Sequence, residues 1–168
     1  LLVTNIGRMD KVDIAELLER KHAEIFEWLK EQPRTNWMEF PEGKWSVGQH
    51  ILHLVNSIQL LNNALSYPRF FLKYKFGIAN RESRDYETVA NKYQEKLIAN
   101  KDRAAIFNKD LKKPTLKQRD RLLTRYQIQQ KKLQYKTIKI SEKNLDTLIV
   151  PHPLMGKMTV REIIMWTA

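Results

Sequence analysis

Residues Gly43–Leu65 read Gly-Lys-Trp-Ser-Val-Gly-Gln-His-Ile-Leu-His-Leu-Val-Asn-Ser-Ile-Gln-Leu-Leu-Asn-Asn-Ala-Leu. Ser46 and Gln49 match a capping box, in which two side chains satisfy free backbone N–H groups at a helix start. The apolar residues that follow recur every three or four positions, which predicts one face of an amphipathic helix ended by Pro68. They are Val47, Ile51, Leu54, Ile58, Leu61 and Leu65.

Three more segments carry helix start signals. Asp10 precedes a helix predicted from Lys11 to about Gln32, which Pro33 stops. Two further capping boxes start a long helix to about Ile140 and a final helix near the C-terminus. The residues that form them are Thr115, Gln118, Thr159 and Glu162.

The region 69–110 lies between helices two and three and is less regular. Phe70–Phe76 predicts a short aromatic helix packed over one end, and Tyr86–Asn100 predicts a helix with Val89, Tyr93 and Leu97 inward. No segment shows a strand pattern. We therefore predict an all-α, up-and-down four-helix bundle with an extra helical excursion between helices two and three.

One domain over residues 1–168, with a tail at residues 1–9, is the simplest organisation for this length. The final helix spans only about ten residues and stops at Ala168 inside an apolar run, whereas the other main helices have about 20. We therefore expect the fourth helix to be truncated at the C-terminus.

Composition restricts the chemistry. The chain has no cysteine, which excludes disulfides, thiolate ligands and thiol nucleophiles. A metal would have to use His, Asp, Glu or water, and that donor set favours zinc, nickel or iron. No apolar run approaches the ~20 residues of a membrane span, so no membrane association is expected and a cytoplasmic location is the default.

The net charge of +11 is concentrated on the third long helix. Ten Lys or Arg residues and one acid, Asp120, lie between Lys112 and Lys139. Such a face is either the solvated side of a bundle helix or a surface for nucleic acid. Proteins that bind single-stranded nucleic acid stack the bases on aromatic side chains placed among the basic residues. Here only Tyr135 lies among these charges, so nucleic acid is the less favoured partner.

The four histidines are the candidate functional residues. His50 and His53 share one side of the second helix, but a lone His-x-x-His is a weak signal because zinc sites use at least three protein ligands. His22 lies within the apolar stripe of helix one, as a hydrogen-bonded core residue or as a group facing a polar site. His152 lies in a Pro-flanked loop, where it caps the bundle or lines a site. Trp37 and Trp45 are predicted to plug the end of the core.

The stretch Trp45-Ser-Val-Gly-Gln-His-Ile-Leu-His53-Leu resembles the helix-two signature of the DinB/YfiT-like superfamily of proposed metalloenzymes. There, a tryptophan and a Ser or Thr cap precede a helix, and a histidine follows eight positions after the tryptophan. A second stretch, His152-Pro-Leu-Met-Gly-Lys-Met-Thr-Val-Arg-Glu162, resembles the family's loop before helix four.

The resemblance implies a four-helix bundle that holds one divalent metal through three histidines. One of them matches His53, and the other two form a His-x-x-x-His pair on helix four that would fall just after Ala168. His50, which we place nearer the core stripe, is then a neighbour of the ligand, and His22 and His152 are pocket candidates.

Two functions follow from the resemblance and the charge pattern. The first is a metal-dependent enzyme of the hydrolase or thiol-S-transferase type that acts on a small-molecule substrate. The alternative is a non-catalytic binding or scaffold protein that uses the basic helix 115–140. A homodimer is left open, with Phe70–Phe76 as an interface.

Overall fold

The structure is a computed structural model, and it describes residues 8–40, 44–101 and 111–168. Within these residues it is mostly helical, with seven α-helices, two short 3-10 turns and one small hairpin. The helices are α1 (Lys11–Glu31), α2 (Val47–Ala64), α3 (Arg69–Phe76), α4 (Tyr86–Ala99), α5 (Arg119–Lys139), α6 (Glu142–Thr147) and α7 (Val160–Trp166). The strands are β1 (Ile149–His152) and β2 (Gly156–Thr159), and the 3-10 turns are Arg34–Trp37 and Leu116–Gln118.

Helix α5 is the centre of the packing. It lies against both α2 and α1, while α7 packs against α1, α4 and α6. The buried side chains of α5 recur at helical spacing and face the core: Leu122, Tyr126, Gln130, Leu133 and Thr137. Leu116, which precedes the α-helical part of this segment, is exposed.

The predicted helix starts are confirmed by their hydrogen bonds. The Asp10 side chain accepts from the backbone N–H groups of Val12 and Asp13, and Ser46 and Thr159 begin α2 and α7 with complete capping boxes. At the third long helix, Gln118 accepts from the backbone N–H of Thr115 at 2.9 Å. A 3-10 turn follows this cap, so the α-helical geometry begins only at Arg119.

The purely helical prediction is wrong at one place. The Pro-flanked loop expected around His152 is instead part of an antiparallel hairpin over residues 149–159, in which Ile149 pairs with Thr159 and His152 with Gly156. Gly156 adopts φ +70°, a conformation that favours glycine. Strands of four residues with a proline inside one of them carry little alternation, so the sequence pattern did not reveal them.

The helical excursion is confirmed by α3 and α4. Leu72 is the buried residue of α3, whereas Phe70 and Tyr74 are 75% and 90% exposed, so half of the aromatic residues of this helix do not pack over the core. Val89 is buried on α4, and Tyr93 and Leu97 are half-buried, as predicted. Most of the tail predicted at residues 1–9 lies outside the described residues.

The start of α7 is held by buried ion pairs. Glu162 is fully buried, and its carboxylate accepts hydrogen bonds from the guanidinium groups of Arg81 and Arg84. Arg161, 1% exposed, donates to Asp146 at 2.6 Å, to Glu142 at 2.5 Å and to the carbonyl of Met9 at 2.7 Å. These bonds join α7 to the loop before α4, to α6 and to the segment before α1.

No helix in the described ranges is both long enough and apolar enough to span a membrane.

Candidate histidine site

The start of α2 is fixed by contacts on both sides of its cap. The backbone N–H of Ser46 donates to Gln49 Oε1 at 3.0 Å, and Gln49 Nε2 donates to the Leu111 carbonyl at 3.1 Å. Gly48 touches the buried Trp37, whose indole donates to the Thr115 carbonyl at 3.1 Å. The first two turns of α2, which carry His50 and His53, are therefore held in one position.

His50 and His53 both lie against Trp45. The ring centroid of Trp45 is 5.2 Å from that of each histidine. His50 is exposed and His53 is half-buried, so the prediction that His50 lies nearer the core is wrong. The helix turns its buried face toward Ile51 and Val55, and this places His50 on the outer shoulder. Trp45 was expected only to plug the end of the core, but it also contacts both histidines.

Burial controls the ionisation of this pair. Burial lowers the pKa of His53, and the neighbouring charge of His50 lowers it further. Burial also lowers the pKa of His50. Both pKa values therefore lie below 6.5, and both rings are mainly neutral at pH 7. A neutral imidazole has a lone pair that can accept a proton or bind a metal.

The hairpin brings His152 to the same region. Burial lowers the pKa of His152, and the charge of His53 lowers it as well, so the two rings lie within electrostatic range of each other. His152 Nδ1 accepts hydrogen bonds from the backbone N–H groups of Leu154 and Met155, both at 3.2 Å. Because Nδ1 is an acceptor, the neutral ring carries its proton on Nε2 and offers a donor there.

Two aromatic residues of the excursion and of α7 complete the surroundings. Tyr93 meets the His152 ring edge to face, with centroids 6.0 Å apart, and lies 4.1 Å from the ring of Trp166. Burial raises the pKa of Tyr93, so its hydroxyl stays protonated at neutral pH. We call His53, His152, Trp45, Tyr93 and Trp166 together the histidine site.

His22 lies elsewhere, in the seam between α1 and α5. Its ring centroid is 4.9 Å from those of Phe26 and Tyr126, and burial lowers its pKa. The core position predicted for His22 is confirmed, but Nε2 has no hydrogen-bond partner among the described residues. The structure therefore places His22 with the core aromatics.

A comparison with protein families identifies the chain. The sequence model of the DinB superfamily matches residues 8–168. The chain belongs to the DinB superfamily. No significant match was found among curated proteins or among solved structures.

The resemblance to the DinB superfamily implies a metal centre with three histidine ligands, and the described residues show how much of that ligand set is present. Among residues 8–40, 44–101 and 111–168, no group of three or more His, Cys, Asp or Glu side chains is arranged to hold a metal ion. His152 is a poor ligand in this arrangement, because Nδ1 is occupied and Nε2 carries a proton. The described residues therefore supply His53 alone as a candidate ligand, and they do not fit a complete centre.

Sequence reasoning missed two members of the histidine site. Tyr93 was placed on the inward face of its helix, but nothing in the sequence connected it to His152. Trp166 ends the last helix, and no motif marks it as part of a site. Their meeting depends on the hairpin and on the packing of α4 against α7, neither of which has a local sequence signal.

Proposed function

We propose that this DinB superfamily domain is a metal-dependent enzyme of the hydrolase or thiol-S-transferase type, with His53 as one metal ligand. The observation that carries the proposal is the environment of His53. Its ring is half-buried and neutral, lies against Trp45, and is close enough to His152 of the hairpin for its charge to lower the pKa of that residue. The sequence resemblance favours the same residue, since His53 follows Trp45 by eight positions, as the helix-two histidine of the superfamily does.

The four helices of the proposed bundle are α1, α2, α5 and α7, with α3 and α4 as the excursion. The contacts of α5 with α1 and α2, and of α7 with α1, support this assignment. The other ligands would come from residues outside the described ranges or from sequence after Ala168, and the proposal depends on that supply. His53 would hold the metal together with those ligands, and a metal bound there would supply Lewis-acid chemistry.

The remaining residues of the histidine site have roles that need no metal. His152 would present its Nε2–H group to an oxygen acceptor on a small-molecule substrate, because Nδ1 is held by the loop. Tyr93 would supply a second, protonated donor. Trp45 and Trp166 would provide apolar walls and reduce the access of water.

Elemental analysis of purified protein tests the proposal, in a form that includes whatever sequence follows Ala168. We expect about one equivalent of zinc, nickel or iron per chain in the parent protein, and less than about a tenth of an equivalent in His53→Ala. His50→Ala is the matched control, because it removes a histidine three residues away on the same helix. A metal-free parent protein, or full metal content in His53→Ala, would refute the proposal.

A second candidate is a non-catalytic protein that binds nucleic acid through the basic helix. The supporting observation is the exposure of Arg121, Arg125, Lys131 and Lys132 on α5. One basic residue of this helix is already used within the fold. Lys136 Nζ donates to Ser66 Oγ at 2.6 Å and to the Asn62 carbonyl, so it is unsuitable for a charge-reversal test.

Fluorescence anisotropy with a labelled DNA duplex tests this second function. Binding that falls by at least about tenfold between about 50 and 200 mM salt, and that is lost in Arg121→Glu with Lys132→Glu, would support it. Binding without salt dependence, or no binding at about 50 mM salt, would contradict it. Lys96→Glu with Lys101→Glu provides a charge-matched control, because these two residues lie on and just after α4 rather than on the basic helix.

A further inference from the structure

A surface groove with a volume of about 480 Å³ lies between α1 and α5, away from the residues of the histidine site. We call it the α1–α5 groove. Its lining comes from one face of each helix: Val12, Ala15, Glu16 and Glu19 from α1, and Lys131, Gln134, Tyr135, Ile138 and Lys139 from α5.

The centre of the groove is apolar and open to solvent. Val12 is 48% exposed, Tyr135 65% and Ile138 38%. Ile128, 47% exposed, lies seven residues before Tyr135 and therefore two turns along the same face of α5. A purely solvated basic helix would not need this line of apolar side chains, and contiguous exposed apolar surface is typical of interaction sites.

The two edges of the groove carry opposite charges. Glu16 and Glu19 form the α1 edge, and Lys131 and Lys139 form the α5 edge. None of these four makes a salt bridge with another residue of the described ranges. Gln134 Nε2, on the groove wall, is buried and has no acceptor in the same part of the chain.

We propose that the α1–α5 groove is the interface of a homodimer, in which α1 of one copy packs over α5 of the other. A two-fold axis brings each acidic edge against the basic edge of the second copy, so both charge contacts form at once. The apolar residues Val12, Tyr135 and Ile138 then lie between these contacts. The proposal is independent of the metal-dependent activity proposed above.

The charge pattern selects a second copy over other occupants. Nucleic acid and anionic membranes would attract Lys131 and Lys139 but would repel Glu16 and Glu19. A helix with one sign of charge would satisfy only one edge. A second copy of the chain carries an acidic edge and a basic edge at the same separation, so it satisfies both edges of the groove. Its net charge of +11 opposes association in the absence of salt.

Sedimentation velocity of the 168-residue chain, at about 150 mM salt and up to about 200 µM protein, tests the dimer. We expect the parent chain to sediment as a dimer. Glu16→Lys with Glu19→Lys, and separately Lys131→Glu with Lys139→Glu, should each sediment as monomers. An equimolar mixture of the two variants should recover the dimer, because every reversed edge then meets its complement.

Three further variants make the outcome decisive. Lys113→Glu with Lys117→Glu changes the same amount of charge outside the groove and should remain dimeric. Tyr135→Ser with Ile138→Ser alters only exposed side chains and should weaken the dimer at least tenfold, even if a charge-reversal variant fails to fold. Phe70→Ser with Tyr74→Ser should leave the dimer unchanged.

The proposal is overturned by any of three results. A monomeric parent chain over the whole concentration range is the first. Folded charge-reversal variants whose mixture stays monomeric are the second. A dimer that is lost in Phe70→Ser with Tyr74→Ser but kept in Tyr135→Ser with Ile138→Ser is the third, since it would place the interface on α3.

Discussion

Glu162 and Arg84 are joined by three hydrogen bonds across 78 residues of sequence. The backbone N–H of Arg84 donates to Oε1 of Glu162 at 2.8 Å, Nε donates to the same oxygen at 2.9 Å, and Nη2 donates to Oε2 at 2.8 Å. Arg81 adds two more bonds to this carboxylate. Glu162 is fully buried and is the counter-ion of both arginines.

Replacing Glu162 with Gln should therefore destabilise the protein. Gln keeps the size and the capping position but removes the charge, so the half-buried Arg84 and the exposed Arg81 lose the fully buried carboxylate that pairs with them. We expect the free energy of unfolding, measured by urea titration with circular dichroism, to fall by about 3 kcal/mol. The exposed Glu82→Gln is the matched control and should change it by less than about 0.5 kcal/mol. Equal effects of the two substitutions would contradict this role.

The same carboxylate should make stability depend on pH in the acid range. Burial opposes the ionisation of Glu162, but the hydrogen bonds from Arg81 and Arg84 outweigh it and lower the pKa from 4.5 to about 2. The stabilisation is then fully present above pH about 4.5 and is lost as pH falls toward about 2. The difference in unfolding free energy between the parent and Glu162→Gln should shrink across this window. A difference that stays constant from pH about 6 to about 2.5 would exclude the mechanism.

Gly48→Ala tests the close approach of α2 to the turn before it. A Cβ at this position would lie 2.8 Å from the Trp37 carbonyl oxygen and 2.9 Å from its Cε2 atom, so backbone or a buried ring must shift. Strain of about 1–3 kcal/mol should outweigh the gain of about 1 kcal/mol that alanine normally brings to a helix. Thermal unfolding followed by tryptophan fluorescence measures the loss. Asn63→Ala, exposed on the same helix, should be neutral or slightly stabilising.

Lys136 should contribute to stability where Lys132 does not. Lys136 Nζ reaches the Asn62 carbonyl and Ser66 Oγ near the end of α2, while Lys132 is exposed. Lys136→Met removes the charged donor that joins α5 to the end of α2, although the Asn62 carbonyl keeps its bond from Ser66 Oγ, and we expect a loss of about 1 kcal/mol in urea unfolding. Lys132→Met should stay within about 0.5 kcal/mol of the parent. Indistinguishable results for the two lysines would mean that the cross-helix contact is not stabilising.

Helix starts could be predicted from the sequence because their causes are local. Ser46 with Gln49 and Thr159 with Glu162 lie three residues apart, and each pair forms its capping hydrogen bonds within one turn. The apolar period then indicates the buried side of each helix, although not its precise rotation. The same reasoning found α4 and the core position of His22.

The histidine site could be predicted only in part, because its remaining contacts are long-range. The approach of His152 to His53 requires the hairpin, whose short strands have no clear alternation. The relative burial of His50 and His53 depends on how α2 is rotated against its neighbours, and the stripe alone gave the wrong order. Tyr93 and Trp166 meet only after α4 has packed on α7.

The bonds of Arg161 and Glu162 also have a kinetic consequence. Arg161 reaches the Met9 carbonyl across 152 residues, and Glu162 reaches Arg84 across 78. Closing such large loops costs chain entropy that neighbouring contacts offset only after most of the molecule has assembled. These bonds should therefore form late during folding, so that their removal accelerates unfolding far more than it slows refolding.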